Sequence, residues 1–77
     1  MALIRHFEHK AMERNALHDE IGATYSVFER DGRVILQIDS YGRVDREMPG
    51  KKSQTLQLDR EGALELFEII KREFRFD

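Results

Sequence analysis

The chain has 77 residues, contains no cysteine and carries 15 acidic against 13 basic side chains, which gives a formal net charge of −2 at pH 7. The absence of cysteine excludes disulfides and thiolate metal sites. No apolar run approaches the roughly 20 residues that a membrane-spanning helix needs, and the first residues lack the basic flank of a signal peptide. We therefore expect a single soluble, cytoplasmic domain over residues 1–77 that does not act as an enzyme.

The small size of the domain has a consequence for its assembly. A chain of this length buries only about 60–65% of its unfolded surface on folding. Natural domains of this size are supported by disulfides, by a metal or by a partner chain. Because the chain has no cysteine, we expect it to form a homodimer.

Residues 1–22 leave two interpretations open. Residues 5–18 contain good helix formers, and a weak apolar stripe runs through them, but Asn15 and Gly22 interrupt it. The stripe consists of Ile4, Phe7, Ala11 and Leu17. The segment is either a short helix or an extended arm that pairs with the sheet.

A β-hairpin is predicted over residues 23–39. The first strand, residues 23–30, is rich in β-branched and aromatic side chains. Asp31-Gly32 follows as a two-residue turn, because both residues tolerate positive φ. In the second strand, residues 33–39, the even-numbered side chains Val34, Leu36 and Ile38 share one face.

A polar loop and a further strand follow the hairpin. Residues 40–51 contain Gly42, Pro49 and Gly50 and are predicted to form a loop, with a short strand possible over residues 41–44. Residues 52–58 alternate in polarity and are predicted to form a strand, in which Gln54, Leu56 and Leu58 share a face.

The last element is a helix over residues 60–74. Asp59 is suited to cap its first turn, and basic residues near its end suit the negative end of the helix dipole. Apolar residues recur at spacings of three and four, as on one face of a helix: Ala63, Leu64, Leu66, Phe67, Ile69, Ile70 and Phe74. The predicted fold is α+β, an antiparallel sheet of about four strands followed by a C-terminal helix, with residues 23–77 as its core.

Patterns that would indicate a catalytic or metal site are weak. His6 and His9 are three residues apart, with Glu13 four further on, and we interpret them as surface residues. Asp39 and Asp45 flank the loop and are interpreted as turn-forming or edge-protecting residues. No Gly-x-Ser-x-Gly, Walker or dinucleotide motif is present. We predict no catalytic residue, no bound metal and no cofactor.

The loop and the strand after it carry a local excess of basic charge. Residues 40–54 hold four basic and two acidic side chains, whereas acidic residues predominate over residues 59–77. Cations, hydroxyl groups and turn N–H groups suit phosphate oxygens, and nearby aromatic rings suit unstacked bases. Tyr25, Phe28 and Tyr41 are the candidate rings. A solvated turn, with the rings in the core, is the alternative interpretation.

At these residues the sequence resembles a known family. The resemblance is to one domain, and five features of the sequence carry it. They are Gly32-Arg33, the strand residues 34–38, Tyr41, the segment Met48-Pro49-Gly50-Lys51-Lys52-Ser53, and the end of the strand that leads into the helix. That domain is the single-stranded-DNA-binding domain of positive-cofactor-four-type transcriptional coactivators, which is related to Whirly and Pur proteins and has small bacterial and phage members. The resemblance covers about residues 32–70.

The resemblance implies a homodimer formed through the helices and a sheet face that grips unpaired DNA. It implies that Lys51 and Lys52 contact phosphates, that Arg33 lies on the hairpin edge and that Tyr41 lies near the bound strand. The complete set of candidate nucleic-acid-binding residues is Arg33, Tyr41, Arg43, Arg46, Lys51, Lys52 and Ser53.

Three functions remain as hypotheses. The first is a module that binds single-stranded DNA or RNA without sequence preference in transcription, replication or repair, associated with the nucleoid if the ligand is DNA. The second is a protein-interaction or regulatory module of the same fold, favoured by the acidic net charge and by Asp39-Ser40, where the family has Arg-Glu. The third is a small enzyme or metal protein, which would depend on His6 and His9.

Overall fold

The fold is a four-stranded sheet followed by one helix. The computed structural model describes residues 1–41 and 52–76, and it describes Lys52 and Ser53 by their backbone alone. The elements are β1 (Ala2–Ile4), β2 (Ala23–Arg30), β3 (Arg33–Tyr41), β4 (Lys52–Leu58) and α1 (Arg60–Glu73). The strands lie in the order β1-β4-β3-β2. The predicted α+β fold, with about four strands before a C-terminal helix, is confirmed.

The β2–β3 hairpin forms at the predicted turn. Asp31 and Gly32 have φ angles of 55° and 75°, the left-handed pair that a type I′ turn requires. The two strands pair over their whole length, from Arg30 opposite Arg33 to Ala23 opposite Ser40. β3 continues two residues beyond the predicted end, to Tyr41. The rest of the predicted short strand at 41–44 lies outside the described residues, as does most of the predicted loop.

The pairing of β4 with β3 gives the sheet two chemically different faces. Leu36 lies opposite Leu58 and Ile38 opposite Leu56, whereas Gln37 lies opposite Gln57 and Asp39 opposite Thr55. We call the first side the apolar sheet face; with the paired residues of β1 and β2 it comprises Ala2, Ile4, Ala23, Tyr25, Val27, Glu29, Val34, Leu36, Ile38, Ser40, Gln54, Leu56 and Leu58. The opposite side is the polar sheet face. It comprises Leu3, Thr24, Ser26, Phe28, Arg30, Arg33, Ile35, Gln37, Asp39, Thr55 and Gln57.

The fourth strand comes from the amino-terminal segment. β1 pairs in parallel with the outer edge of β4, with Ala2 aligned to Leu56 and Ile4 to Leu58. Residues 5–22 then form neither helix nor strand. The short helix is therefore not formed, and pairing with the sheet, as expected for an extended arm, is limited to Ala2–Ile4. The sheet is mixed instead of wholly antiparallel, because only β2, β3 and β4 alternate in direction.

Both ends of α1 have recognisable capping interactions. The Asp59 carboxylate accepts the Gly62 N–H at 2.9 Å, which confirms Asp59 as the N-cap. At the other end Arg75 is left-handed, with φ 58°, and the Phe76 N–H donates to the Lys71 carbonyl at 3.0 Å. That bond closes a Schellman motif and ends the helix.

The arm that follows β1 is fastened to the first two turns of α1. Arg5 Nε donates to Asp59 Oδ2 at 2.8 Å. The Phe7 N–H donates to Glu65 Oε1 at 3.0 Å, and His6 Nδ1 lies 3.0 Å from Glu65 Oε2. We call these interactions the arm clasp. They explain how a strand of three residues is held at the sheet edge, since the clasp fixes the chain immediately after it.

We expect acid to release the arm clasp. The pKa of Asp59 lies below its ordinary value of 3.8, mainly because its carboxylate accepts the Gly62 N–H and further because Arg5 lies beside it, with burial opposing. The pKa of Glu65 lies below 4.5, mainly because of the Phe7 N–H and then of His6. Because both pKa values are lowered on folding, the ionised Asp59 and Glu65 stabilise the folded chain. This stabilisation is complete above their ordinary pKa values and is lost as the pH falls through their folded-state pKa values.

Amide hydrogen exchange at Phe7, followed down a pH series and corrected for the intrinsic rate, measures this release. We expect protection at neutral pH and its loss as the pH falls below the ordinary pKa values of the two carboxyl groups and through their lowered folded-state pKa values. Glu65→Gln keeps an acceptor oxygen but cannot ionise, so its protection should depend less on pH. Equal pH dependence in both proteins would show that Glu65 does not control the clasp.

The core of the single chain is small. Among the described apolar side chains, only Ile35 and Leu58 are less than a tenth exposed. The helix face predicted to be apolar is divided: Leu66, Ile69 and Ile70 are half-buried, whereas Leu64, Phe67 and Phe74 are exposed. Helical spacing identifies an apolar stripe, but it does not show how much of that stripe the same chain covers.

Candidate nucleic-acid interface

The candidate interface lies where β3 ends and β4 begins. Tyr41 lies opposite Lys52 in the register, after an irregularity between Ser40 and Tyr41. The end of β3 and the start of β4 therefore lie side by side, and we call this place the loop end. In the sequence, Arg43 and Lys51 are within two residues of this pair, and Arg46 is five residues from Tyr41. Four basic residues, Arg43, Arg46, Lys51 and Lys52, are thus close in sequence to one end of the sheet.

Tyr41 is held by polar contacts at the loop end. Its hydroxyl lies 3.0 Å from the Thr24 hydroxyl, and its backbone N–H donates to the Gly22 carbonyl at 3.3 Å. The residue is half-buried. The ring is therefore tied to the start of β2, beside the polar sheet face, and part of it remains accessible.

A hydrogen-bonded ladder supports the loop end from the polar sheet face. Asp39 is only 5% exposed, and its carboxylate accepts the Thr55 hydroxyl at 2.6 Å and the Gln37 amide at 3.0 Å. The Gln57 amide donates in turn to Gln37 Oε1 at 2.9 Å. We call these four side chains the polar ladder. No buried side-chain nitrogen or oxygen in the described part of the chain lacks a partner.

The polar ladder corrects the interpretation of Asp39. The residue lies within the central strand β3 and is buried, so it is neither a turn former nor an edge protector. Its partners were not selected from the sequence, although the alternation Gln37-x-Asp39 and Thr55-x-Gln57 was a usable signal. Asp45, which the sequence analysis interpreted together with Asp39, lies outside the described residues.

Arg33 lies far from the other candidates. It occupies the first position of β3, eight residues from Tyr41, and a strand rises by about 3.3 Å per residue. The separation along the strand is therefore about 26 Å. Arg33 lies instead near the start of α1, where its charge contributes to the lowered pKa of Asp59.

The remaining candidates are described only in part. Lys52 and Ser53 are the first two residues of β4, and only their backbone is described. Arg43, Arg46 and Lys51 lie outside the described residues. The structure therefore brings together Tyr41 and the backbone of Lys52 and Ser53, and it separates them from Arg33.

The two other candidate rings lie on opposite faces of β2. Tyr25 is on the apolar sheet face, opposite Ile38, and is 76% exposed. Phe28 is half-buried on the polar sheet face opposite Ile35, and the Arg30 guanidinium lies 5.9 Å from its ring centre. The two rings therefore do not form one stacking platform with each other.

Two further findings concern alternative classes of site. Within residues 1–41 and 52–76, no group of three or more His, Cys, Asp or Glu side chains is arranged to hold a metal ion. His6 is engaged with Glu65 in the arm clasp. In the same described ranges, no helix has the length and apolar character needed to cross a membrane.

Comparison with known proteins adds no relative. No protein-family model matches the chain, and nothing matches it among curated proteins or among solved structures.

Proposed function

We propose that the loop end binds single-stranded nucleic acid without sequence preference. The observation that supports this most is the register of Tyr41 opposite Lys52, because it ties the basic segment of the chain to an accessible ring. Arg43, Arg46, Lys51 and Lys52 neutralise phosphates, and the Ser53 hydroxyl donates to a phosphate oxygen. The Tyr41 ring accepts an unstacked base, which a single strand offers and a duplex does not.

The charge distribution limits how the module binds. The chain is acidic overall, with a net charge of −2, so attraction is local to the loop end rather than spread over the surface. Four phosphate contacts on a single strand correspond to a slope of about −3 when log K is plotted against log salt. A cytoplasmic protein acting on exposed single strands in transcription, replication or repair fits this behaviour.

Substituting the two adjacent lysines tests the assignment. In a Lys51→Ala, Lys52→Ala variant we expect weaker binding to a labelled single-stranded oligonucleotide and a salt slope shallower by about 1.4, because two phosphate contacts are lost. Fluorescence anisotropy at several salt concentrations measures both quantities. Lys51 and Lys52 would not be binding residues if a folded double variant kept its affinity and slope.

A matched control separates local contacts from total charge. Lys71→Ala with Arg72→Ala removes the same charge from the last turn of α1, where both residues are exposed. We expect this variant to bind with nearly unchanged affinity. An equal loss in both double variants would mean that overall charge, rather than the loop end, governs binding.

A protein-interaction module without nucleic-acid binding is the second candidate. The polar side chains described around Tyr41, among them Thr24 and the buried Asp39, are neutral or acidic. Every cation of the proposed site therefore belongs to residues 43–52. Absence of binding even at low salt, in a protein that stays folded, would favour this candidate. Recovery of one stoichiometric protein partner free of nucleic acid would then identify its function.

A further inference from the structure

We propose that an acidic, amphipathic segment of a different protein docks in a cleft between the start of α1 and the first residues of β3. We call it the arginine cleft, after Arg33 and Arg60 in its lining. The cleft lies at the opposite end of β3 from the loop end, so the inference does not rest on what the loop end binds.

The arginine cleft has an apolar floor. Its volume is about 740 Å³, and its apolar lining comes from both the sheet and the helix: Val34, Leu36, Leu58, Ala63 and Leu64. Leu58 is 4% exposed, whereas Val34 and Leu64 are 53% and 52% exposed. The cleft therefore has a buried base and accessible apolar walls. Inserting a partner's apolar side chains would remove apolar surface of both molecules from water, which favours binding.

The carboxylates in the lining are already paired within the chain. Arg5 Nε donates to Asp59 Oδ2 at 2.8 Å, and Arg5 Nη2 lies 3.8 Å from Glu61 Oε2. Within residues 1–41 and 52–76, neither Arg33 nor Arg60 makes a hydrogen bond or an ion pair. The lining holds three arginines and two carboxylates, a net charge of +1, whereas the chain as a whole carries −2. The cleft is therefore a locally cationic site with two free guanidinium groups.

Both of these arginines occupy unfavourable positions in the chain alone. Arg60 is the first residue of α1, where the helix dipole favours negative charge. Arg33 lies directly opposite Arg30 in the hairpin, and like charges in that arrangement destabilise a sheet. The charge of Arg33 helps to lower the pKa of Asp59, but that carboxylate already binds Arg5. Residues that break a local rule without internal compensation are typical of functional surfaces, and a partner's carboxylates would compensate both.

The floor and the free arginines together select the occupant. A basic segment would be repelled by the net charge of the cleft, and an uncharged segment would leave the two guanidinium groups unpaired beside it. A nucleic acid would neutralise the arginines but has no aliphatic side chain to cover the floor. A segment that carries apolar side chains beside carboxylates meets both requirements.

Selection from a random peptide library displayed on phage tests the proposal without assuming a sequence. We expect the peptides that bind the unmodified protein to combine apolar residues with Asp or Glu. A fluorescent synthetic copy of the selected peptide then gives dissociation constants by anisotropy. In an Arg33→Glu, Arg60→Glu variant we expect the affinity to fall at least about tenfold, because two attractive charges become repulsive. Both residues are exposed, so the substitutions displace no buried group.

A matched control reverses the same charge elsewhere on the helix. Lys71→Glu with Arg72→Glu changes two exposed residues in the last turn of α1, and we expect this variant to bind the peptide with nearly unchanged affinity. An equal loss in both double variants would overturn the proposal. Enrichment of no peptide, or of basic or uncharged peptides, would also overturn it. Competition between the peptide and self-association would assign the cleft to a second copy instead.

A second measurement covers the case in which the charge-reversed variant does not fold. Amide chemical shifts of the unmodified protein would be followed as the selected peptide is added. We expect the largest changes at Val34, Ala63 and Leu64, which line the cleft, and small changes at Ser40 and Tyr41 at the other end of β3. The largest changes at the loop end would place the peptide there and overturn the proposal.

Discussion

Replacing Gly62 by alanine is expected to destabilise the protein by about 1–3 kcal/mol, the usual cost of forcing extra atoms into a packed contact. In an ordinary helix interior the same substitution would be stabilising by about 1 kcal/mol. The sign reverses here because a Cβ at Gly62 would overlap the Ile4 carbonyl oxygen and press on the backbone of Arg5. The close approach of α1 to the arm requires a residue without a side chain at this position.

Chemical denaturation of Gly62→Ala beside Gly22→Ala measures this effect. Gly22 has nothing within 4 Å of an added Cβ, so its substitution should be neutral or stabilising by up to about 1 kcal/mol. We also expect Gly62→Ala to lose amide protection at Phe7, since the arm must move away from the helix. If Gly62→Ala were as stable as Gly22→Ala, β1 would not be docked against α1 as described.

The second large effect is expected from Asp39→Ala. The substitution removes the acceptor of the Thr55 hydroxyl and of the Gln37 amide in a place where Asp39 is almost fully buried. Leaving these partly buried donors without a partner costs up to about 1–3 kcal/mol. Because the polar ladder lies beside Tyr41, we also expect nucleic-acid affinity to fall.

A double-mutant cycle with Thr55→Val isolates the ladder contribution. Thr55→Val removes the hydroxyl at nearly constant shape. The double variant should therefore lose less free energy of unfolding than the sum of the two single losses, by about 0.5–3 kcal/mol. Urea denaturation of the four proteins provides the free energies of unfolding. Strict additivity would contradict the contact between Asp39 and Thr55.

The sequence was sufficient to predict the elements whose signals are local. Asp31-Gly32 identified the hairpin turn because few residues adopt two positive φ angles in succession. Strand β4 was predicted with its observed bounds, and Asp59 was identified as the N-cap because its side chain can accept an N–H of the first turn. These features depend on a few adjacent residues and need no knowledge of the tertiary fold.

Features that depend on distant parts of the chain were not predictable. β1 has three residues, too few to show a period, and it pairs with β4 more than 50 residues away. The arm clasp that holds it depends on Arg5, Asp59 and Glu65 meeting across the fold. The mixed sheet followed from these long-range contacts.

The candidate site was predictable in composition but not in layout. The family resemblance placed Arg33 in the same group as Tyr41, yet the ends of a nine-residue strand lie far apart. Asp39 was interpreted as a turn-forming or edge-protecting residue, because an isolated carboxylate in a sequence gives no sign of a buried ladder. That the residues flanking the basic segment, Tyr41 and Lys52, lie opposite each other became visible only from the register of β3 and β4.

The central claim, that the loop end binds single-stranded nucleic acid, is tested most directly with the unmodified protein. Fluorescence anisotropy would be measured with labelled single-stranded and double-stranded DNA of one sequence at a low and a high salt concentration. We predict saturable binding to the single strand that weakens steeply with salt, and much weaker binding to the duplex. Equal affinity for both forms, or no binding at low salt by the folded protein, would contradict the claim.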